Sequence, residues 1–113
     1  MKLESLKKAH KDICGKSADM MWAKIADYTN GSEDVMKCLN WVEETTGVPP
    51  AQMVLARMAE SLMRLRTFQD NGTLTVAGYS LDNSVGDLIN WTVLLREILR
   101  PGESYSGDCA PII

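Results

Sequence analysis

The chain has 113 residues, of which 45% are hydrophobic and 24% charged, and its formal net charge is −3. These values predict one globular domain and exclude a general nucleic-acid-binding protein, because no basic excess is available to neutralise phosphates. The apolar runs are too short to span a bilayer, and the charged start Met1–Glu4 has no signal-peptide core. We therefore expect a cytoplasmic protein without membrane association.

Hydrophobic spacing and turn residues predict two helices in the first half of the chain. The first runs from about Leu3 to Tyr28, with Gly15 as a candidate break, and the run Thr29-Asn30-Gly31 ends it. The second helix begins after Ser32, whose hydroxyl is a suitable N-cap, and it ends at Gly47. Its inner stripe is predicted to contain Val35, Cys38, Leu39 and Val42.

A third helix is predicted from the proline pair at 49–50 to Asn71-Gly72. Its apolar face is predicted to contain Val54, Met58, Leu62 and Leu65. The segment 73–79 alternates weakly and has no obvious partner strand, so we expect a loop or a small lid there.

The fourth helix raises the question of what Asp87 does. In one interpretation, Ser84-Val85-Gly86-Asp87 forms a capping box, with Ser84 as the N-cap and Asp87 reaching back to its amide. In the other, Asp87 is a site residue, because helical spacing places it between Leu94 and Ile98, close to Trp91 and beside the buried face. The sequence leaves both interpretations open.

The fold class predicted from these segments is all-α, a small four-helix bundle over residues 1–100 with an extended tail over 101–113. Arg100-Pro101-Gly102 ends the last helix. One helix is short, which leaves apolar stripes that self-association would cover, so we expect a homo-oligomer. The three tryptophans, Trp22, Trp41 and Trp91, are predicted to anchor the core.

Two stretches within residues 48–99 resemble the MazG-like all-α nucleoside triphosphate pyrophosphohydrolases. Val85-Gly86-Asp87-Leu88-Ile89-Asn90-Trp91 is similar to their LGDVLWYL segment, and Met58-Ala59-Glu60-Ser61-Leu62 is similar to their earlier glutamate-containing helix. Residues 53–58 and 83–88 also resemble paired helices of small helical proteins that are common in bacteriophages. The resemblance implies an oligomer whose sites lie between subunits.

The resemblance implies a magnesium site that is depleted in this chain. The enzymes use ExxE and ExxD motifs, whose four carboxylates hold magnesium ions against a triphosphate. Glu60 matches the first acid, but Met63 stands where the second is expected. Asp87 matches the last acid, but Ser84 replaces the one before it. Glu60 and Asp87 are thus the metal ligands that the resemblance predicts, holding one ion through waters.

Arg57 and Arg64 are the residues predicted to bind phosphate. They lie three residues before and four residues after Glu60, a spacing that also fits an exposed ladder of ion pairs. As phosphate ligands they would suit a triphosphate, a cyclic nucleotide or an acidic partner. Trp91 is the predicted stacking partner for a base, with a core role as the alternative.

Two functional hypotheses follow. The first is a nucleotide-recognising MazG-like protein, with magnesium-dependent pyrophosphohydrolase activity as an option. The alternative is a non-enzymatic, phage-type interaction protein that sequesters a nucleotide signal or inhibits a host protein. The missing acids favour the alternative.

Overall fold

The structure is a computed structural model that describes residues 1–76 and 78–100. It confirms the all-α class with four helices, which are α1 (Leu3–Tyr28), α2 (Lys37–Thr46), α3 (Pro50–Asn71) and α4 (Leu81–Ile98). Over these ranges there is no strand, and 73–76 and 78–79 form a loop. The tail predicted over 101–113 lies outside the described residues.

Helix α4 is central to the packing. It packs against both α3 and α1, and the short α2 packs against α3. Among the described residues, Leu39 and Val54 are the only hydrophobic side chains that are fully shielded, whereas many large ones are exposed. The bundle therefore buries little apolar area, and no helix in the described part is long and apolar enough to cross a membrane.

Most predicted helix ends are confirmed. Helix α1 continues through Gly15, and Thr29 follows its last residue. Helices α2 and α3 end at Gly47 and Gly72, which have φ angles of 77° and 74°. Glycine adopts this left-handed conformation without the steric penalty that a Cβ atom brings.

The predicted start of α2 is wrong. The Ser32 hydroxyl accepts a hydrogen bond from the amide of Asp34, and the Asp34 carboxylate accepts one from the amide of Met36. These local bonds satisfy backbone donors in a turn conformation and compete with helix formation. The helix consequently begins only at Lys37.

The capping box at the start of α4 is also wrong. Ser80 is the N-cap, and its hydroxyl accepts a hydrogen bond from the amide of Asn83 at 3.0 Å. Ser84 lies within the helix and is buried. Asp87 is the seventh helical residue, too far from the N-terminus to cap it, which rules out its predicted capping role.

Three predictions about buried side chains fail. Val35, expected on the inner stripe of α2, is 43% exposed and precedes the helix. Leu62 on α3 is 54% exposed, whereas its neighbour Ser61 is buried, so the inner face of α3 is rotated toward the serine. Trp22 and Trp41 are 62% and 64% exposed and do not anchor the core. Trp91 is half-buried. Trp22 and Trp41 are exposed because α1 packs mainly against α4, and α2 mainly against α3, which leaves the other faces of both helices uncovered.

Candidate functional site

Asp87 is the centre of a charged cluster that joins three helices. Its Oδ1 atom accepts a hydrogen bond from Lys24 Nζ on α1 at 2.7 Å, and its Oδ2 atom accepts one from Arg64 Nη2 on α3 at 2.9 Å. The side chain of Asp87 is 14% exposed and that of Arg64 is 21% exposed. A carboxylate this shielded needs such partners, and the cluster carries a net charge of +1.

Arg64 is held in place by further contacts. Its Nη2 also donates to the buried Ser61 hydroxyl at 3.2 Å, and its Nη1 donates to Asn83 Oδ1 at 3.5 Å. The guanidinium lies 4.9 Å from the centre of the Tyr79 ring, a cation–π distance. Its Nε atom is buried without a hydrogen-bond partner. The group is thus oriented and keeps one donor that lacks an acceptor.

A close crossing of α1 and α4 places Lys24 beside Asp87. At Gly86 an added Cβ atom would lie 3.4 Å from Ser17 Cβ, so the helices are close enough for van der Waals contact with a methyl group there. Asn90 Nδ2 donates to the carbonyl of Ser17 at 2.9 Å and secures the crossing. Two turns further along α1, Lys24 reaches the carboxylate.

The charged cluster lies in the wall of an open groove of about 730 Å³ to which all four helices contribute. Most of the lining is apolar, and it includes four aromatic side chains: Trp22, Tyr28, Tyr79 and Trp91. Small-molecule sites typically have volumes of about 300–1,000 Å³, apolar walls and a few convergent polar groups. The groove has these properties.

All five residues predicted for the site line this groove: Arg57, Glu60, Arg64, Asp87 and Trp91. The predicted ion-pair ladder forms only in part. Arg57 Nη1 lies 3.1 Å from Glu60 Oε2 in an exposed pair, whereas Arg64 pairs with Asp87 instead. Asp87 thus lies in the wall of the groove and does not cap α4.

Magnesium fits these residues poorly as they are arranged. Both carboxylate oxygens of Asp87 already contact cations, and Glu60 is paired with Arg57. Over residues 1–76 and 78–100, no three His, Cys, Asp or Glu side chains form a group that could hold a metal ion. The magnesium site stays a prediction.

Lys24 and Tyr79 are the site residues that sequence reasoning missed. Lys24 shares a helical face with Ser17 and Met20, and that spacing was the available signal for a side chain directed toward the bundle. Tyr79 lies in the loop before α4, and nothing local in the sequence indicated its contact with Arg64.

The aromatic groove and its charged cluster are therefore the features that any functional assignment must explain. Comparison with family models, with curated proteins and with solved structures finds no match to this chain.

Proposed function

We propose that the groove binds a nucleotide. The base stacks on the aromatic side chains, and the phosphate group contacts the cations on the wall. The observation that supports the proposal best is the presence of Lys24, Arg57 and Arg64 on the same groove as four aromatic rings. Aromatic rings suit a flat base, and arginine pairs with phosphate through several N–H donors at once.

The cations keep capacity for a ligand. The side chains of Lys24 and Arg57 are 38% and 48% exposed, and each makes only one ion pair in the described structure. Lys has three N–H donors and Arg has five, so each can bond a phosphate oxygen while it keeps its carboxylate partner. The Nε donor of Arg64 is buried, so Lys24 and Arg57 are the cations that are open to a ligand.

The charges of the lining favour a nucleotide with few phosphates. The groove also contains the carboxylates of Glu60, Asp87 and Glu97, so its three cations and three acids balance. A highly charged triphosphate gains less from such a surface than a monophosphate or a cyclic nucleotide does. We therefore propose recognition, and not hydrolysis, as the function, with adenosine monophosphate as the first probe.

The test is isothermal titration calorimetry of the protein with adenosine monophosphate and, separately, with adenosine. Arg57→Met is expected to weaken binding of the nucleotide about tenfold, because one charge-assisted contact of about 1.4 kcal/mol is lost. Arg66→Met is the matched control, since Arg66 is an exposed residue of the same helix that does not line the groove. The affinity of Arg66→Met for adenosine monophosphate should equal that of the wild type.

A second pair of variants tests the base. Trp22 and Trp41 are about equally exposed, but only Trp22 lines the groove. Trp22→Ala should weaken binding of both nucleotide and adenosine, whereas Trp41→Ala should leave both affinities unchanged. The proposal is refuted if Arg57→Met and Arg66→Met weaken binding equally, if Trp22→Ala and Trp41→Ala do so, or if the wild type does not bind. The remaining hypothesis would then be a non-enzymatic protein that interacts with a host protein.

A further inference from the structure

The N-terminal part of α1 projects from the bundle. We call residues 1–12 the arm; every one of them is exposed, including Leu3 at 65% and Leu6 at 52%. The first α1 residues with partial shielding are Ile13 and Cys14. About three turns of helix therefore have no packing partner within residues 1–76 and 78–100.

The arm carries the same helical stripe that packs on α4 further along α1. Ser17 and Lys24 contact α4, and spacings of three and four residues lead back from Ser17 to Ile13, His10, Leu6 and Leu3. Lys7 lies beside this stripe, and Lys2 is the residue just before the helix. The face therefore carries Leu3, Leu6 and His10 along its centre, with lysines beside and before them.

Charge is strongly segregated between the two parts of the chain. Residues 1–12 contain four lysines and two acids, a net charge of +2. Residues 13–100 contain eight Lys and Arg and eleven Asp and Glu, a net charge of −3. The arm of one copy is thus attracted to the body of another, whereas two arms repel each other.

The α2 region offers the matching surface on the body. Residues 33–46 contain four acids and Lys37, a net charge of −3. Trp41 projects from α2 with 64% of its surface exposed, and Glu44 lies one turn away on the same face. Exposed Lys37 lies one turn before Trp41 on this face, so Glu44 is the acid of α2 that lies beside the tryptophan. Trp41 and Glu44 together suit an apolar stripe with a lysine beside it, because tryptophan contributes both contact area and cation–π attraction.

We propose that the arm of one copy docks on α2 of a second copy, with Trp41 at the centre of the contact. Exchange in both directions forms a two-fold symmetric dimer in which each copy gives and receives an arm. Docking covers Leu3 and Leu6 and stabilises helical turns that are marginal when they stand alone in water. Trp41 and Glu44 do not line the groove, although Cys38 and Leu39 of the same helix do, and the proposed contact does not depend on nucleotide binding.

The test is sedimentation equilibrium of the whole chain at low and high salt. Lys7→Glu should raise the dimer dissociation constant at least tenfold, because it places an acid against Glu44. Lys8→Glu is the control for net charge, since Lys8 lies on the opposite face of the same helix. Lys7 also lies 3.4 Å from Glu4 in an exposed ion pair, so Glu4→Gln, which removes that pair and keeps Lys7, is a second control and should leave the dimer intact. Wild type and Lys8→Glu should dimerise, and salt should weaken both dimers.

A charge exchange makes the test specific. Glu44→Lys should also weaken self-association, and equimolar Lys7→Glu and Glu44→Lys should form a mixed dimer, because opposite charges then meet again. Circular dichroism verifies that each variant is folded. A monomeric wild type, equal effects of Lys8→Glu and Lys7→Glu, or no mixed dimer would each overturn the proposal. Nucleotide affinity is expected to be unchanged in all four variants, so failure here is separable from failure of the nucleotide proposal.

Discussion

Replacement of Asp87 by asparagine is the perturbation that best tests the charged cluster. The asparagine side chain would keep the shape and one acceptor oxygen but leave two cations without a counter-charge. A hydrogen bond to a charged group contributes about 1.5–3 kcal/mol when shielded, and an exposed ion pair contributes about 0–1 kcal/mol. Arg64 is 21% exposed, so its bond to Asp87 should contribute about 1.5 kcal/mol, the lower end of the range for shielded bonds. Lys24 is 38% exposed, so its bond should contribute about 0–1 kcal/mol, as an exposed ion pair does.

The expected loss for Asp87→Asn is therefore about 2 kcal/mol in the free energy of unfolding. At about 4 °C per kcal/mol for a domain of this size, Tm should fall by about 8 °C. Urea unfolding followed by circular dichroism measures the loss directly. Glu60→Gln is the matched control: its pair with Arg57 is exposed on both sides and should cost less than about 0.5 kcal/mol. Equal losses for the two variants would refute the reasoning.

Three further predictions concern the free energy of unfolding, and urea unfolding measures each. Gly86→Ala should leave it unchanged or raise it by up to about 1 kcal/mol, because the added Cβ meets Ser17 at an ordinary contact distance and alanine favours the helix. Gly86→Leu should lower it by more than about 2 kcal/mol, and a smaller loss would show that α1 and α4 are not closely packed at this crossing. Ser84→Ala should leave the free energy of unfolding unchanged or raise it, since the Ser84 hydroxyl is buried without a partner. A loss above about 1 kcal/mol would show that this hydroxyl is hydrogen-bonded in the folded protein. Gly72→Ala should cost about 1 kcal/mol because φ is 74°, and an unchanged midpoint would contradict that conformation.

The helices and most of their ends were predictable because their signals are local. Gly47 and Gly72 end helices through their own backbone freedom, and the proline pair at 49–50 starts α3. The start of α2 was missed because Ser32 and Asp34 bond to nearby amides in a turn, and such bonds use the same residue types as an N-cap. The serines at 80 and 84 are both plausible caps by type, and the sequence does not rank them.

The five residues singled out in the sequence line one groove, but the ion pairs among them were not predictable. Arg64 was expected to join Glu60 on its own helix, yet it turns to Asp87, because a shielded carboxylate attracts a cation more strongly than an exposed one does. Lys24 comes from a helix 63 residues away in the chain, so its contribution depends on the α1–α4 crossing. Tertiary contacts of this kind leave no local pattern in one sequence.

Intermolecular nuclear Overhauser effects between adenosine monophosphate and the protein test the central proposal most directly. We expect contacts from the adenine protons to the ring protons of Trp22 or Trp91, which line the groove, and none to Trp41. Contacts confined to Trp41, or no contacts at saturating nucleotide, would contradict it.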